Sequence, residues 1–343
     1  MSVGVIGAGS FGTVVANLLA ENQHVYLYTR SDDTAASMTS SRMSAGQQIH
    51  DNITPTSNLP LLAQSCHLLF PVVPSQGFKE MIRALAPYLK PDNIMIHGTK
   101  GLSVKKKGEK SLSSQGLLQR EHVLTMSELI RRESVVVRIG CIAGPNLSKE
   151  MSQGLPAAAV LASRFDEVIL EGQKALKSHR FQLYGGHDIL GIELAGVLKN
   201  ILAIGSGMVS GLDYGENARA LLITKGLSEI IHLAKALGAD VKSFLGLAGI
   251  GDIIATCSSP TSRNFTVGYR MAKGESIQQI METMEETAEG VNTIRIASGL
   301  ARYYNINCPI ITTLHKGIFE DLSLEAGINY LMNYRFSMDV DFL

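Results

Sequence analysis

The chain contains 343 residues, with 31 basic and 31 acidic side chains and no net formal charge. A chain of this length is too long for one ordinary hydrophobic core, so two domains are expected. The balanced charge offers no global attraction to nucleic acid or to an anionic membrane surface, and neither is expected as a partner.

The four cysteines are scattered along the chain and form no C-x-x-C pair. This spacing argues against a zinc site and against a disulfide framework, so no metal is expected. The apolar N-terminal run is already the first predicted strand, which leaves no signal peptide. Both observations predict a cytoplasmic protein.

The first predicted strand, residues 3–6, runs into three glycines with the G-x-G-x-x-G spacing. Gly7 would make the tight turn, Gly9 would let the backbone approach a pyrophosphate, and Gly12 would let helix and strand pack closely. A predicted helix over residues 13–20 follows, so the pyrophosphate would lie at a helix N-terminus. Strand, turn and helix in this order predict dinucleotide binding.

The second predicted strand, residues 24–29, is followed by Arg30. Dinucleotide-binding folds place an acidic residue about twenty positions beyond the glycines, where it holds the ribose 2′-hydroxyl of NAD. Arginine cannot accept a hydrogen bond from that hydroxyl, but it pairs with the 2′-phosphate of NADP. Because Asp32 and Asp33 lie close behind, the sequence predicts a preference for NADP that does not exclude NAD.

Apolar strands alternate with helical patterns up to residue 188, and beyond it helix-length segments are separated by glycine-rich turns. The alternation predicts an α/β fold, a Rossmann-type doubly wound, mostly parallel sheet, followed by an all-helical C-terminal domain. We therefore expect a dinucleotide-binding domain at residues 1–188 and a substrate-binding and catalytic domain at residues 189–343. The further predicted strands are residues 68–73, 94–97, 135–142, 157–162 and 180–184, and the clearest helices between them are residues 78–89 and 165–177.

One segment fits this alternation poorly. Residues 103–133 are polar and rich in lysine, and they become helical only toward their end. We expect a surface excursion that contains a helix, and a basic contact patch is the alternative.

The most hydrophobic long stretch, residues 189–209, contains Glu193, Lys199 and Asn200. These polar residues indicate a buried helix and not a membrane span, so no stable membrane insertion is expected. Lys199 lies centrally and has small residues on its own face of the helix, which leaves room for a ligand. A snorkelling lysine is the alternative, but the central position favours a partly desolvated amine that acts as a general base.

A second polar cluster follows further along the chain. Asp252 lies in a glycine-rich bend, and Ser262, Arg263 and Asn264 precede another helical stretch. A hydroxyl, a planar cation and an amide at a helix N-terminus suit a phosphate monoester. The alternative is an N-capping serine beside a solvated arginine.

Two loops of the first half are expected to face the same cleft. Lys100 follows the predicted strand at residues 94–97, and Gly144 and Asn146 follow the next strand and open a helix. Ligands of open α/β sheets bind at the carboxyl ends of the strands.

Taken in order, eight segments resemble the bacterial type of NAD(P)-dependent sn-glycerol-3-phosphate dehydrogenase, over nearly the whole chain. The helical segment around Lys199 is specific to that family, as is the combination of Asp252 with Ser262-Arg263-Asn264. Phe11 replaces the usual tryptophan, Asn146 stands where serine or threonine is common, and the interval between Lys100 and Gly144 is long. The segments are GAGSFGTVVA, VPSQGF, TKGL, AGPNLSKE, ELAGVLKNILAI, GLAGIGD, SRNF and AEGVNT.

The resemblance implies an active site between the two domains, with Lys199 as the proton acceptor and with Asp252 and Lys100 balancing charge around its amine. Both the substrate and the cofactor contacts are implied by the resemblance. The implied substrate contacts are Lys100, Gly144, Asn146, Lys199, Asp252, Ser262, Arg263 and Asn264. The implied cofactor contacts, beside the three glycines, are Ser10, Phe11, Arg30, Lys100, Ser148, Arg263 and Glu289.

The implied reaction interconverts sn-glycerol 3-phosphate and dihydroxyacetone phosphate, and its reductive direction would supply phospholipid synthesis. The expected partners are this small phosphorylated substrate and a second copy in a homodimer. A related 3-hydroxyacid or 6-phosphogluconate-type dehydrogenase is one alternative, although those enzymes lack the spacing from Asp252 to Ser262. A non-catalytic dinucleotide sensor is the other, and it would not need a buried lysine.

Overall fold

The computed structural model describes residues 2–104, 118–284, 288–335 and 338–339. Residues 105–117, the lysine-rich part of the predicted excursion, lie outside the described residues. The chain divides into two compact units, one of Met1–Ser103 with Thr125–Glu193 and one of Val104–Leu124 with Leu194–Leu343.

The first unit is built on one eight-stranded sheet. The strands of the chain are β1 (Ser2–Ile6), β2 (Val25–Tyr28), β3 (Met43–Ser44), β4 (Gln47–Gln48), β5 (Ile53–Thr56), β6 (Cys66–Pro71), β7 (Ile94–His97), β8 (Ser103–Val104), β9 (Val123–Leu124), β10 (Arg138–Ala143), β11 (Ala157–Ser163) and β12 (Phe181–Gly186). The sheet has the order β12-β11-β10-β7-β6-β1-β2-β5, and β3 with β4 and β8 with β9 form two small ribbons.

Every neighbouring pair in the large sheet is parallel except β10 with β11, so the prediction of a mostly parallel sheet is confirmed. The sequence-based reading missed β5, which is an edge strand containing Pro55. A proline cannot donate to a central ladder but is tolerated at an edge. The predicted strand at residues 135–142 begins only at Arg138, because Val135 and Val137 are exposed.

The helices of the first unit cover the sheet and bury its Val, Ile and Leu side chains. Val5, Phe70, Ile94 and Ile96 belong to one continuous core with α1. These helices are α1 (Ser10–Ala20), α2 (Asp32–Ser41), α3 (Leu59–Ser65), α4 (Ser75–Leu85), α5 (Met126–Glu133), α6 (Ser148–Ser152) and α7 (Asp166–Ala175).

The second unit is helical throughout the part that the structure describes, apart from residues of the short β8–β9 ribbon. Short 3-10 turns lie at Arg120–His122 and Val241–Phe244 in this unit and at Ala86–Tyr88 in the first, and a π-helical turn lies at Leu247–Gly251. The remaining helices are α8 (Ile189–Gly211), α9 (Gly215–Ala236), α10 (Asp252–Ser258), α11 (Arg263–Ala272), α12 (Ile277–Thr283), α13 (Glu289–Tyr303), α14 (Pro309–Phe319) and α15 (Leu324–Asn333).

Most of helix α8 belongs to this unit, which takes up the chain again at Leu194. By length and composition alone, Ile189–Gly211 and Val241–Ser258 could each cross a membrane. The most apolar window of α8 is, however, 89% buried within the protein, as a core helix should be. Glycines let α11 approach α8 very closely, since a Cβ at Gly207 would lie 2.0 Å from the Phe265 carbonyl oxygen and one at Gly268 would lie 1.8 Å from that of Ile204.

Candidate active site

The glycine-rich loop between β1 and α1 has the shape that a pyrophosphate requires. Gly7 has a φ of +119°, and a Cβ at Gly12 would lie 1.8 Å from the Gly7 carbonyl oxygen. Gly9 precedes α1, no described side chain caps that helix, and a Cβ at Gly9 would meet nothing within 4 Å. Open space therefore faces an uncapped helix N-terminus, and the loop fits the phosphates of a dinucleotide.

The carboxyl ends of neighbouring strands gather further predicted residues in the first unit. The Phe11 ring follows β1 and packs on Gly98 beyond β7, where a Cβ would lie 2.7 Å from Phe11 Cε1. Lys100 Nζ donates to the Gly144 carbonyl oxygen at 3.1 Å. Gly144 itself has a φ of +151°, and a Cβ there would lie 2.9 Å from Ala159 Cα. The structure thus brings Phe11, Lys100 and Gly144 to one edge of the sheet.

Asn146 and Ser148 lie in the loop after β10. Both polar atoms of the Asn146 amide are buried and have no hydrogen-bond partner among the described residues. A buried amide of this kind is costly unless a ligand satisfies it. Helix α6 begins at Ser148, so the prediction that Gly144 and Asn146 open a helix was two residues or more too early.

Arg30 is exposed and lies two residues after the end of β2. Ser31 caps α2 by accepting a hydrogen bond from Thr34 N at 3.3 Å, and Asp32 and Asp33 occupy the first turn of that helix. The charge of Arg30 and the N-terminus of α2 favour binding of a phosphate, whereas the carboxylates of Asp32 and Asp33 oppose it. The preference between the two dinucleotides stays a prediction.

Glu193 forms a buried polar cluster with residues at the end of β7 and the start of α5. The Glu193 carboxylate accepts from Thr125 Oγ1 at 2.8 Å and from Ser127 N at 3.0 Å, and it lies 3.0 Å from His97 Nε2. Burial raises the pKa of Glu193, but the charge of His97 and these hydrogen bonds together hold that pKa below its usual value. The cluster fixes His97 at the end of β7, three residues before Lys100.

Lys199, the central lysine of α8, is buried in the second unit with only 4% of its surface exposed. Its Nζ lies 2.8 Å from Asp252 Oδ1 and donates to Thr256 Oγ1. Thr256 Oγ1 in turn donates to Asp252 Oδ1 at 3.0 Å. Lysine, threonine and aspartate therefore form one buried hydrogen-bonded network.

The backbone before Asp252 explains how this network is placed. The glycine-rich segment predicted as a bend is the π-helical turn Leu247–Gly251, and Asp252 is the first residue of α10. A Cβ at Gly249 would lie 2.0 Å from the Phe244 carbonyl oxygen, so the turn needs a residue without a side chain. The turn aims Asp252 and, one helical turn later, Thr256 at the lysine.

The charged group beside Lys199 is the Asp252 carboxylate, the residue that the resemblance implies next to its amine. A carboxylate at this distance stabilises the ammonium form. Thr256 was missed by the sequence-based reading, although its position four residues after Asp252 on a helix was an available signal.

Ser262, Arg263 and Asn264 lie at the start of α11. Ser262 Oγ accepts from Phe265 N at 3.4 Å and caps the helix, while Arg263 is exposed. The capping role proposed as the alternative is therefore present, and it leaves a phosphate role for Arg263 untested. Asn264 is buried, and its Oδ1 accepts from Gly290 N at 2.9 Å, next to Glu289 at the start of α13.

A glycine-rich phosphate loop on a parallel sheet and a buried lysine–carboxylate pair in a helical unit define a dinucleotide-dependent dehydrogenase. Residues 2–168 match the family model for the NAD-dependent glycerol-3-phosphate dehydrogenase N-terminus, and residues 188–329 match that for its C-terminus. The chain belongs to the NAD-dependent glycerol-3-phosphate dehydrogenase family.

Relatives match over almost the full length. The glycerol-3-phosphate dehydrogenase (NAD(P)+) of Teredinibacter turnerae is 38% identical over 99% of this chain and 97% of its own. The glycerol-3-phosphate dehydrogenase (NAD(P)+) of Saccharophagus degradans is 37% identical over 99% of this chain and 92% of its own. The crystal structure of glycerol-3-phosphate dehydrogenase from Coxiella burnetii superposes with a TM-score of 0.85 at 29% identity, over 97% of this chain and 99% of its own.

Proposed function

We propose that this protein interconverts sn-glycerol 3-phosphate and dihydroxyacetone phosphate with NAD(P)(H). The family membership and the buried Lys199–Asp252 pair support this proposal, and the pair is the observation that carries it. Residues 1–188 would form the dinucleotide-binding domain and residues 189–343 the substrate-binding and catalytic domain.

Lys199 is the group that moves a proton. In reduction its ammonium donates a proton to the ketone oxygen, and in oxidation the neutral amine removes the proton of the C2 hydroxyl. Asp252 stabilises the ammonium before the proton leaves, and Thr256 fixes the orientation of both groups through its hydrogen bonds. The bound dinucleotide supplies the hydride for reduction and accepts it in oxidation.

The phosphate of the substrate is held away from the reacting carbon. Arg263 offers a planar, two-pronged donor, Asn264 offers an amide, and the N-terminus of α11 adds a positive dipole end. Lys100, Gly144 and the buried amide of Asn146, which has no partner among the described residues, complete the proposed substrate contacts. Binding energy from these remote contacts orients C2 and so raises the rate as well as the affinity.

The dinucleotide would be held by the glycine-rich loop together with residues from both halves of the chain. The open N-terminus of α1 at Gly9 supports the position of the pyrophosphate. NADP is the preferred form because Arg30 pairs with a 2′-phosphate. The other proposed contacts are Gly7, Ser10, Phe11, Gly12, Lys100, Ser148, Arg263 and Glu289.

The physiological direction is reduction in the cytoplasm, which supplies glycerol 3-phosphate for phospholipid synthesis, and the assembly is a homodimer. The reaction is tested by following cofactor oxidation with dihydroxyacetone phosphate and its reduction with sn-glycerol 3-phosphate, a 3-hydroxyacid and 6-phosphogluconate. Turnover confined to the two three-carbon phosphates supports the proposal. Turnover of the other substrates, or tight cofactor binding without turnover, would assign the chain to another class.

A further inference from the structure

The N-terminus of α13 is capped by a side chain of another helix. Its N-cap residue is Ala288, which has no side-chain acceptor. The acceptor comes instead from Asn264 on α11, whose Oδ1 lies 2.9 Å from Gly290 N. Helix N-termini leave backbone N–H groups that need such an acceptor.

This hydrogen bond also fixes the orientation of the Asn264 amide, because it decides which end of the amide faces Gly290. A primary amide is planar, with an acceptor oxygen at one end and two N–H donors at the other. Because the oxygen is held by Gly290 N, the donor end has a defined direction. Donors of fixed direction bind an anionic oxygen with less loss of conformational freedom than a free side chain does.

No larger residue fits at position 290 without disturbing this arrangement. A Cβ there would lie 2.6 Å from Asn264 Oδ1, 2.8 Å from Ile204 Cδ1 and 3.0 Å from the Asn200 carbonyl oxygen. The Asn200 oxygen belongs to the backbone of α8, which cannot yield easily. The Asn264 side chain must therefore turn away if Gly290 gains a methyl group.

We propose that Gly290 is a positioning residue for phosphate recognition, because its N–H and its missing side chain together hold the Asn264 amide toward the substrate phosphate. This inference rests on the proposed function of the site. Gly290 acts through Asn264 and has no contact of its own with the substrate.

The direct test is Gly290→Ala, with Gly317→Ala as the matched control. Gly317 lies in the helix α14, and a Cβ there would have its nearest neighbour at an ordinary 3.7 Å. We expect Gly290→Ala to raise KM for dihydroxyacetone phosphate by about 10- to 100-fold, the effect of losing one hydrogen bond to a charged group. The kcat/KM for unphosphorylated dihydroxyacetone should stay within about twofold of wild type, since that substrate has no phosphate for the Asn264 amide to bind. Gly317→Ala should leave both values unchanged, and a response of Gly290→Ala equal to that control would overturn the proposal.

A double-mutant cycle separates positioning from a general structural effect. In an Asn264→Ala background, Gly290→Ala should raise KM for dihydroxyacetone phosphate by less than about twofold, because the group through which it acts is gone. An undiminished effect in that background would show that Gly290 does not act through Asn264.

Asn264→Asp keeps the proposal testable if Gly290→Ala does not fold. The carboxylate still accepts from Gly290 N and lies at the positive N-terminal end of α11, which offsets part of its burial cost, so the thermal midpoint should fall less than in Asn264→Ala. Asn264→Asp should nevertheless lose the preference for the phosphorylated substrate. Equal midpoints for both variants would overturn the proposed link. Failure of the proposed function is distinct, since the wild-type protein would then not reduce dihydroxyacetone phosphate at all.

Discussion

Replacing Lys199 by methionine separates the chemistry of the lysine from its volume. Methionine fills nearly the same space in α8 but can neither donate nor accept the proton. A positioned acid or base typically contributes about 10²–10⁴-fold, so turnover should fall by that factor. The KM for dihydroxyacetone phosphate should change less, because the phosphate contacts are retained.

The same substitution has a predictable effect on stability. Lys199 and Asp252 are 4% and 1% exposed and lie 2.8 Å apart, so methionine removes the ammonium charge that lies against a buried carboxylate. Breaking a buried pair in this way costs about 3–5 kcal/mol of unfolding free energy. In the double variant with Asp252→Asn, no unpaired charge is left, and most of that loss should be recovered.

Urea unfolding followed by circular dichroism gives the stabilities, and initial rates of cofactor oxidation give the turnover. The double variant should be more stable than Lys199→Met and equally inactive. Two results would refute the reasoning: a single variant that keeps more than about a tenth of wild-type turnover, or a double variant no more stable than the single one.

Three further predictions concern recognition and pH. Arg263→Lys keeps the charge but loses the two-pronged geometry, so KM for dihydroxyacetone phosphate should rise while dihydroxyacetone is little affected; equal loss toward both would exclude a phosphate contact. Arg30→Ala should lower catalytic efficiency with NADPH far more than with NADH, and an unchanged ratio would show that Arg30 does not touch the 2′-phosphate. Burial raises the pKa of Glu229 to about 8, although the backbone N–H groups of Ile310 and Ile311 oppose this shift. The folded state thus binds the proton more tightly than the unfolded chain, so unfolding free energy should fall as pH rises from about 4.5 to about 8, by at most about 1.4 kcal/mol per pH unit. Glu229→Gln should flatten this dependence in urea titrations, and an unchanged slope would contradict the assignment.

Much of the fold could be predicted because local patterns and tertiary packing agree. The apolar runs that became β1, β6 and β7 are buried in the sheet, and their spacing with helices requires parallel pairing. The edge strand β5 could not be predicted from its short sequence, since Pro55 is a negative signal everywhere except at an edge.

The candidate site was predictable in its residue types but not in its pairings. The central position of Lys199 in an apolar helix indicated burial, and the structure bears this out. Asp252 and Thr256 reach Lys199 because of the π-helical turn at Leu247–Gly251. The hydrophobic periodicity of the sequence does not predict that turn. The capping of α13 by Asn264 likewise joins residues far apart in the chain.

The most direct test of the account is the wild-type ratio of kcat/KM for dihydroxyacetone phosphate to that for dihydroxyacetone, measured with NADPH and with NADH. Several charge-assisted hydrogen bonds to the phosphate, at about 1.5–3 kcal/mol each, predict a ratio of at least about 100 with either cofactor. Reduction of dihydroxyacetone phosphate at that advantage supports a dehydrogenase that recognises the phosphate of its substrate. Equal efficiency for the two substrates, or no oxidation of either cofactor, would contradict it.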